Sequence, residues 1–494
     1  MIKKEIFENI EKLLIYAEKN LRLSREDFAY KRNRILEILK IDTLEEVDSS
    51  GDVGYTEPSV ILGDLVRACV ESGLFESYEA EKYTDSIMGE LSLLPSQIST
   101  EFIEQMTKSS KAATDFLYGY CVKNNYVKKA VLDKNPRFTA ENGLIITINK
   151  SKPEFRDPKK AASGNSVKGG YPKCVICAEN EGYAPRNKRN LRKADLILNG
   201  TKFFWQYSPY GYFNEHGIAV NYEHIPMHVD RDTFIRLMDF VDIFPHYFIG
   251  CNAALPSIGG SVLAHDHYQG GGEILPLQKA GIAVNLDTEK YPDLKIGIID
   301  WPGTAIRVSG KNRASLIDFC EKVRKAWFDY TNEDLGIIAK DALGQHSSIS
   351  PTVIKNGDAY EFSIILRNNV TSEKYPDGVF HVHPEFHIIK KESIGLIEAQ
   401  GLFILPGRLD EQLDRIKDLI VAGKPISEDL KDFDMIYKEI VALCKGDYKE
   451  ENVGRAIKDE LASVCYRILE NTAVFKSYEQ TIKFMKEEVY KERT

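Results

Sequence analysis

The string GGSVLAHDHYQGGG carries the residue types best suited to chemistry on a phosphate group. If the chain from Leu263 to Gln269 is extended, side chains alternate between faces, so His265, His267 and Gln269 project together. The flanking glycines, Gly260 among them, let backbone approach a bulky anion closely and surround it with N–H groups. The pattern predicts a phosphate site that contains a nucleophilic imidazole. A pair of hydrogen-bonded structural histidines at a sheet edge is the alternative.

The second cluster is Cys174-Val-Ile-Cys177, whose spacing suits two thiolates on one tetrahedral zinc ion. Two further ligands must come from elsewhere in the chain, and His224, His228 and His265 are the candidates. A redox pair and two ordinary thiols are the alternatives, although the neighbouring residues lack the strand and helix typical of a redox CxxC. The other six cysteines are scattered, which indicates no disulfide framework.

The third cluster is His381-Val-His383-Pro-Glu385-Phe-His387. If this segment is extended, its three histidines and one carboxylate share a face, although the proline requires a sheet edge or a bulge. Such a face is predicted to bind a second divalent metal or the phosphate of a substrate. Surface histidines on an edge strand are the alternative.

Four further residues are candidates for substrate contacts. Asn252 and Ser261 flank the glycine-rich turn, where their polar groups would bond phosphate oxygens, and His346 and Arg367 lie in the strand-rich stretch before the third cluster. For each of them an ordinary turn or surface role is equally open.

All ten histidines fall between residues 216 and 387, the part of the chain in which short β-branched and aromatic runs recur. KFFWQYS, GIAVNYE, FIGCNAA, YEFSIILRN and FHIIK predict strands of an antiparallel or mixed sheet with packed helices. Helix-period patterns before about residue 130 and after about residue 408 predict helical ends. The Lys-, Gly- and Ser-rich stretch SKPEFRDPKKAASGNSVKGGYPK predicts a loop that is either mobile or covers a ligand. The predicted fold class is α+β.

Composition excludes several function classes. Lysine and arginine total 65 against 74 aspartates and glutamates, a formal net charge of −9, and no basic stripe for a nucleic acid occurs. The N-terminus has no signal-peptide pattern, and no apolar stretch of about 18 residues suits a membrane span. The expectation is a cytoplasmic protein without nucleic acid or membrane partners. The sequence leaves its oligomeric state open, a homodimer among the options.

These motifs together resemble the galactose-1-phosphate uridylyltransferase family, specifically its second, bacterial class, a distant branch of the histidine-triad superfamily. The matching strings are YPKCVICAENEGY, QYSPYGYFNEH, HIPMHVDRDTF, FPHYFIGCNAALPSIGGSVLAHDHYQGG and LRNNVTSEKYPDGVFHVHPEFHIIKKESIGLIEAQGLFILPGRL. The resemblance implies two histidine-triad-like halves, at 141–275 and 276–410, between helical regions at 1–140 and 411–494.

The resemblance also implies a chemistry. His267 would attack the α-phosphorus of UDP-glucose and form a covalent uridylyl-histidine, which then transfers the uridylyl group to galactose 1-phosphate. Gln269 would bond the transferred phosphate. Cys174, Cys177, His265 and His224, with His228 as the fallback, would hold a structural zinc ion.

Two further assignments accompany the same resemblance. The galactose-1-phosphate uridylyltransferase family also has a first class, in which histidines bind a second divalent metal. His346, His383 and His387 would correspond to those histidines, although their spacing differs from that of the first class. Glu398 would bond sugar hydroxyls in a second acceptor site formed by residues 367–398. The sequence departs from the first class at Asp266, where that class has proline.

The chemistry sets two requirements on the site. Charge on the transferring phosphoryl oxygens would be stabilised by Gln269, Ser261, backbone N–H groups and lysines of the 159–173 loop. The second nitrogen of His267 must be held by an acceptor, predicted to be a nearby backbone carbonyl, so that the attacking nitrogen is unprotonated. A nucleotide hydrolase or phosphorylase of the same superfamily and a non-catalytic nucleotide-sugar sensor are the alternative functions.

Overall fold

The structure is a computed structural model that describes residues 3–47, 54–150, 170–260 and 262–491. Two sequence expectations fall outside these residues. They are the phosphate contact by Ser261 and most of the loop predicted from the Lys-, Gly- and Ser-rich stretch.

The first part of the chain forms helices because its apolar residues recur every three or four positions. In the first helix Ile6, Ile10, Leu13 and Leu14 share the buried face. The helix ends at Arg22, whose left-handed backbone lets the N–H of the next residue bond to the Ala17 carbonyl. The N-terminal helices are α1 (Lys4–Leu21), α2 (Phe28–Leu39), α3 (Ser59–Glu71), α4 (Ala80–Leu91), α5 (Pro95–Lys108), α6 (Ser110–Lys123) and α7 (Lys129–Leu132).

Short strands dominate the middle of the chain. They are β1 (Arg137–Thr139), β2 (Ile145–Asn149), β3 (Ala194–Leu198), β4 (Thr201–Tyr207), β5 (Gly217–Asn221), β6 (Phe248–Gly250), β7 (His267–Gly271), β8 (Ile282–Asn285), β9 (Lys295–Ile299), β10 (Ala305–Gly310), β11 (Lys340–Asp341), β12 (Gly344–Gln345), β13 (Ser347–Asn356), β14 (Ala359–Asn368) and β15 (Leu402–Pro406).

Helices also lie between and after these strands. They are α8 (Arg231–Ile243), α9 (Pro276–Lys279), α10 (Arg313–Phe328), α11 (Leu396–Ala399), α12 (Arg408–Val421), α13 (Asp434–Cys444), α14 (Glu450–Thr472) and α15 (Tyr478–Phe484). Within the described residues, no helix is both long enough and apolar enough to cross a membrane.

The chain divides into two compact units. The first comprises residues 1–133, 166–211 and 215–224. It contains α1 to α7 and the antiparallel strands β3, β4 and β5, in that order. The turn between β3 and β4 uses Asn199 and Gly200, both with positive φ, which fits a two-residue hairpin.

The second unit comprises residues 134–165, 212–214 and 225–494. Seven of its strands follow the order β7-β6-β13-β14-β10-β9-β8, with antiparallel pairing at each step. A smaller sheet has the order β1-β2-β15, in which β2 and β15 are parallel. Helices α12 to α14 bury Ile416, Ile440 and Leu461 in the same core as Ile146 and Phe403 of that sheet.

The predicted α+β class with antiparallel and mixed pairing is confirmed. Most of the predicted strands are present, because these short runs are rich in the β-branched and aromatic residues that favour strands. FHIIK is the exception and is not a strand. Pro384 cannot donate a ladder hydrogen bond, and Pro384–Phe386 forms a single 3-10 turn instead.

Candidate active site and metal cluster

The candidate nucleophile, His267, is the first residue of β7. The expectation of an extended chain from Leu263 is wrong, because the residues before His267 form a turn. Backbone hydrogen bonds hold this turn at both ends, from Met227 N to Leu263 O at 2.9 Å and from Asp266 N to Ile225 O at 2.7 Å. His265 therefore lies in the turn, while His267 and Gln269 share one face of the strand.

The imidazole of His267 has a defined tautomer. Its Nδ1 lies 2.8 Å from the main-chain oxygen of His265. A carbonyl oxygen only accepts, so Nδ1 donates and the lone pair of the neutral ring is on Nε2. Burial lowers the pKa of His267 to about 4, against a smaller opposing effect of this hydrogen bond. The ring is thus neutral near pH 7, with Nε2 as its nucleophilic atom.

The face of the sheet that carries His267 is polar and continues across four strands. Gln269 pairs with Gly250, Gly250 with Thr352, and Thr352 with Ser363. Cross-strand partners point the same way, so alternate residues of β13 and β14, including Ser350 and Arg367, lie on this face.

The opposite face is covered by helix α8. The hydroxyl of Tyr268 contacts Arg236 of α8 at 3.4 Å, and Phe362 of β14 packs edge-on against Phe234. The polar face is also partly covered, because Ile354 of β13 packs with Ile397 and Ile404, and Leu396 lies against Gly250.

Several polar atoms on the polar face are buried without a hydrogen-bond partner among the described residues. They include Oγ of Ser350 and Oγ1 of Thr352, on side chains that are almost fully enclosed. A buried hydroxyl without a partner costs free energy, roughly 1–3 kcal/mol by mutational measurements, so such a concentration is unusual in a purely structural region.

Asn252 and Gly260 meet beside this face. The Asn252 side-chain oxygen accepts a hydrogen bond of 2.9 Å from Leu396 N, at the start of α11. Gly260 has φ +78°, and a Cβ added there would lie 3.1 Å from Asn252 Nδ2. The glycine turn thus rests against the Asn252 amide, and both its backbone conformation and this close approach favour glycine.

Arg367 and His381 are both about 1% exposed. Nη2 of Arg367 donates to the Ile394 carbonyl at 2.7 Å, whereas its Nε and Nη1 have no partner among the described residues. Neither ring nitrogen of His381 makes a hydrogen bond of normal geometry there, although the Val382 backbone acts to raise its pKa. Burial, with the adjacent Arg367 charge as the next contribution, lowers the pKa of His381 to about 4, so its ring is neutral.

Glu398 is engaged within the protein. One carboxylate oxygen accepts from Lys390 Nζ at 2.9 Å, and the other accepts from Gly395 N at 3.1 Å. Lys390 is buried and also contacts Glu392 at 3.0 Å. This ion pair stabilises the loop that leads into α11.

The cysteine pair and its candidate partners form one group. The Sγ atoms of Cys174 and Cys177 are 3.4 Å apart, and Cys177 Sγ lies 3.2 Å from His224 Nδ1. The ligand atoms of these three residues and of His265 all lie within 4.8 Å of one another. His228 is not in this group; its Nδ1 lies 3.2 Å from the Pro226 carbonyl.

The donor set fits a tetrahedral zinc ion. Zn–S bonds of about 2.3 Å and Zn–N bonds of about 2.0–2.1 Å imply donor separations of about 3.3–3.8 Å, close to the distances observed. The buried side chain of Asn180 fixes the loop by donating to the carbonyls of Cys174 and Cys177 at 2.8 and 2.9 Å. The neighbouring Cys177 thiol, followed by burial, raises the pKa of Cys174, which argues against a reactive redox thiolate.

Comparison with known protein families shows to which family the chain belongs. The family model described as "Galactose-1-phosphate uridyl transferase, N-terminal domain" matches residues 27–226, and the corresponding C-terminal domain matches residues 240–421. A Bifidobacterium longum protein named galactose-1-phosphate uridylyltransferase is 47% identical, over 97% of this chain and 97% of its own length. The chain belongs to the galactose-1-phosphate uridylyltransferase family.

Other proteins of that name are also similar over nearly the whole chain. One from Clostridium acetobutylicum is 39% identical over 94% of this chain and 96% of its own. One from Fusobacterium nucleatum is 37% identical over 96% and 97%. Among solved structures, yeast Ap4A phosphorylase Apa2 is 11% identical, covers 58% of this chain and 82% of its own, and has a TM-score of 0.34.

In this member of the galactose-1-phosphate uridylyltransferase family, the third histidine cluster is not an extended face. His383 stacks on Tyr375 with ring centroids 4.0 Å apart, and His387 Nε2 lies 3.1 Å from the Val382 carbonyl. His346 Nδ1 bonds instead to Asn369 at 2.8 Å, and its Nε2 lies 2.9 Å from a carboxylate oxygen of Asp341. The described residues do not gather these three histidines into a metal-binding group.

Part of the polar face carries no motif in the sequence of this family member. Ser350 and Thr352 lie outside the three clusters, and Arg367 and His381 become neighbours only in the folded chain. The alternation of Ser348, Ser350 and Thr352 in an otherwise buried strand is the signal that would have found the first two.

Proposed function

We propose that the protein transfers a uridylyl group from UDP-glucose to galactose 1-phosphate, giving glucose 1-phosphate and UDP-galactose. The observation that carries the proposal is the neutral imidazole of His267, held through Nδ1 so that Nε2 is the nucleophile, with Gln269 on the same strand face. Membership of the galactose-1-phosphate uridylyltransferase family supports the choice of substrates.

The reaction proceeds by two displacements at the α-phosphorus. The Nε2 lone pair of His267 forms a bond to phosphorus while the bond to the bridging oxygen breaks, and glucose 1-phosphate leaves with that oxygen. A phosphate oxygen of galactose 1-phosphate then attacks the same phosphorus, and the N–P bond breaks to return the neutral imidazole. Imidazole suits both steps because it is a good nucleophile and also a good leaving group once uridylylated.

Charge on the transferring phosphoryl oxygens is stabilised by donors beside β7. We assign this role to the Gln269 amide, with contacts from Asn252 and the backbone of Gly260. Arg367 contacts the substrate further along the same face. Glu398 was predicted to bond sugar hydroxyls. Because its carboxylate accepts a hydrogen bond from Lys390 Nζ, we assign it instead to positioning the loop before α11.

Cys174, Cys177, His224 and His265 would hold a zinc ion, for which their donor set is suitable. With four protein ligands such an ion would be structural. Since the His265 main chain accepts the Nδ1 hydrogen bond, the turn that carries His265 also orients the nucleophile. We further propose two histidine-triad-like halves at 141–275 and 276–410, and a cytoplasmic enzyme.

The test is formation of UDP-galactose from UDP-glucose and galactose 1-phosphate by the purified full chain. His267→Ala should reduce it by at least about 10⁴-fold, because the nucleophile is removed. His246→Ala is the matched control, since His246 lies before β6 and away from this turn. Release of UMP without UDP-galactose would instead indicate a hydrolase, and binding of UDP-glucose without turnover would indicate a sensor.

A further inference from the structure

The pair formed by Arg367 and His381 has unused hydrogen-bonding capacity in the interior of the second unit. Two guanidinium nitrogens and both imidazole nitrogens make no hydrogen bond of normal geometry among the described residues, although both side chains are about 1% exposed. Each such group costs free energy in the folded protein. The retention of four of them together is best explained by a ligand that satisfies them.

The hydrogen-bonding pattern of the pair selects the ligand chemistry. Nε and Nη1 of Arg367 are donors, whereas a neutral imidazole offers one donor and one acceptor. An unprotonated phosphate only accepts, so it would leave the imidazole acceptor unsatisfied. Hydroxyl groups both donate and accept, and two neighbouring hydroxyls match a guanidinium edge and an imidazole together.

The position of the pair agrees with a sugar rather than with the reacting phosphate. Arg367 lies on the polar face that carries His267, but three strand spacings away, about 14 Å between backbones. Ser350, whose buried hydroxyl also has no partner among the described residues, lies on β13 between the two strands. The reacting phosphorus must contact His267, so a group that reaches Arg367 is a more distant part of the substrate.

We infer that Arg367 and His381 bind neighbouring hydroxyl groups of the hexose and so recognise the sugar of both substrates. The inference rests on the proposed function, which supplies a hexose phosphate as the ligand. His381 is carried by the irregular segment 369–381, whose residues 371–374 are exposed. The inference requires that segment to move when the sugar binds, because both side chains are about 1% exposed.

The test uses the full chain with UDP-galactose as donor and glucose 1-phosphate as acceptor, and with acceptors that lack the C2, C3, C4 or C6 hydroxyl. For the wild type, kcat/KM should fall about ten- to hundredfold when a hydroxyl bound by the pair is missing. For His381→Phe, kcat/KM with glucose 1-phosphate should be lower than for the wild type by a similar factor. This variant should use the acceptor that lacks that hydroxyl as well as it uses glucose 1-phosphate. His246→Phe, outside the pair, should behave as wild type.

Stability provides a readout that a purely structural histidine would not give. His381→Phe replaces two unpartnered ring nitrogens by carbon, so its unfolding midpoint should equal or exceed that of the wild type. If this variant does not fold, His381→Gln, which keeps a donor and an acceptor, should retain partial discrimination among the same acceptors.

Equal hydroxyl penalties in wild type and variant would overturn the inference while leaving the proposed function intact. Indifference of the wild type to every missing hydroxyl would overturn it as well. Absence of transfer to glucose 1-phosphate by the wild type would overturn the proposed function itself.

Discussion

His267 Nδ1 donates to the main-chain oxygen of His265, 2.8 Å away, and the side chain of His265 belongs to the cysteine–histidine group. One residue therefore links the candidate metal cluster to the orientation of the nucleophile. Loss of the cluster should lower transfer activity because it displaces this turn and with it the His267 imidazole. No direct contact between a metal and the substrate is needed.

This link gives the first prediction, which concerns metal content. Elemental analysis of the purified chain should find about one zinc ion per molecule, because four buried or half-buried donors fit a closed tetrahedral site. Cys177→Ser should lose the metal and most transfer activity, whereas Cys444→Ser, a buried cysteine elsewhere, should keep both. Equal metal content in the Cys177→Ser and wild-type proteins would show that the cluster is not the site.

The second prediction concerns Gln269. Replacement by Ala removes an amide donor from beside the transferring phosphate, and loss of one such donor costs about 10²–10³ in kcat. Steady-state kinetics should therefore show a fall in kcat of that size with a smaller change in KM. A change confined to KM would assign Gln269 to ground-state binding instead.

The third prediction separates a positioning role of Glu398 from sugar binding. Glu398→Gln leaves the buried Lys390 ammonium with one carboxylate fewer, which should lower the free energy of unfolding by about 1–3 kcal/mol in chemical denaturation. Glu428→Gln is the control, because its carboxylate is exposed. Unchanged stability with a large rise in KM for hexose phosphates would restore the sugar-binding assignment.

The fourth prediction is a pH dependence of stability at the α13–α14 contact. Burial, followed by a hydrogen bond to Glu439, raises the pKa of Glu460 to about 8, while Arg467 lowers it to a lesser degree. The folded protein thus keeps a proton that the unfolded chain loses above about pH 4.3, so this group's contribution to stability falls as the pH rises from there to about 8.

Glu460→Gln removes that dependence. Relative to wild type, its stability should rise between pH 5 and pH 8.5 by about 1–2 kcal/mol, after allowance for solvent screening. Urea unfolding at the two pH values checks this, with the exposed Glu470→Gln as control. A stability difference that stays constant with pH would contradict the raised pKa.

The sequence predicted site residues best where the chemistry of a residue type restricts it to one role. The CxxC spacing indicated that Cys174 and Cys177 lie together, and the structure brings His224 and His265, two of the three candidate histidines, close to them. The need for a neutral imidazole correctly indicated a backbone carbonyl for His267. The strands β4, β5, β6 and β14 were also predictable, because their short runs of β-branched and aromatic residues favour strands.

The sequence was misleading where tertiary contacts decide backbone conformation. Periodicity alone extended the strand back to Leu263, but backbone bonds to Ile225 and Met227 make a turn there. Pro384 likewise interrupts the third histidine cluster and separates residues that an extended chain would align. The approach of His381 to Arg367 and of Lys390 to Glu398 depends on loop packing, which no local pattern encodes.

The central claim is that His267 becomes covalently uridylylated, and isotope exchange tests it most directly. Purified protein is incubated with UDP-glucose and labelled glucose 1-phosphate, with galactose 1-phosphate withheld. We predict that label enters UDP-glucose with the wild type and that exchange is lost in His267→Ala. Exchange that persists in His267→Ala, or net transfer to galactose 1-phosphate by the wild type without any exchange, would contradict the claim.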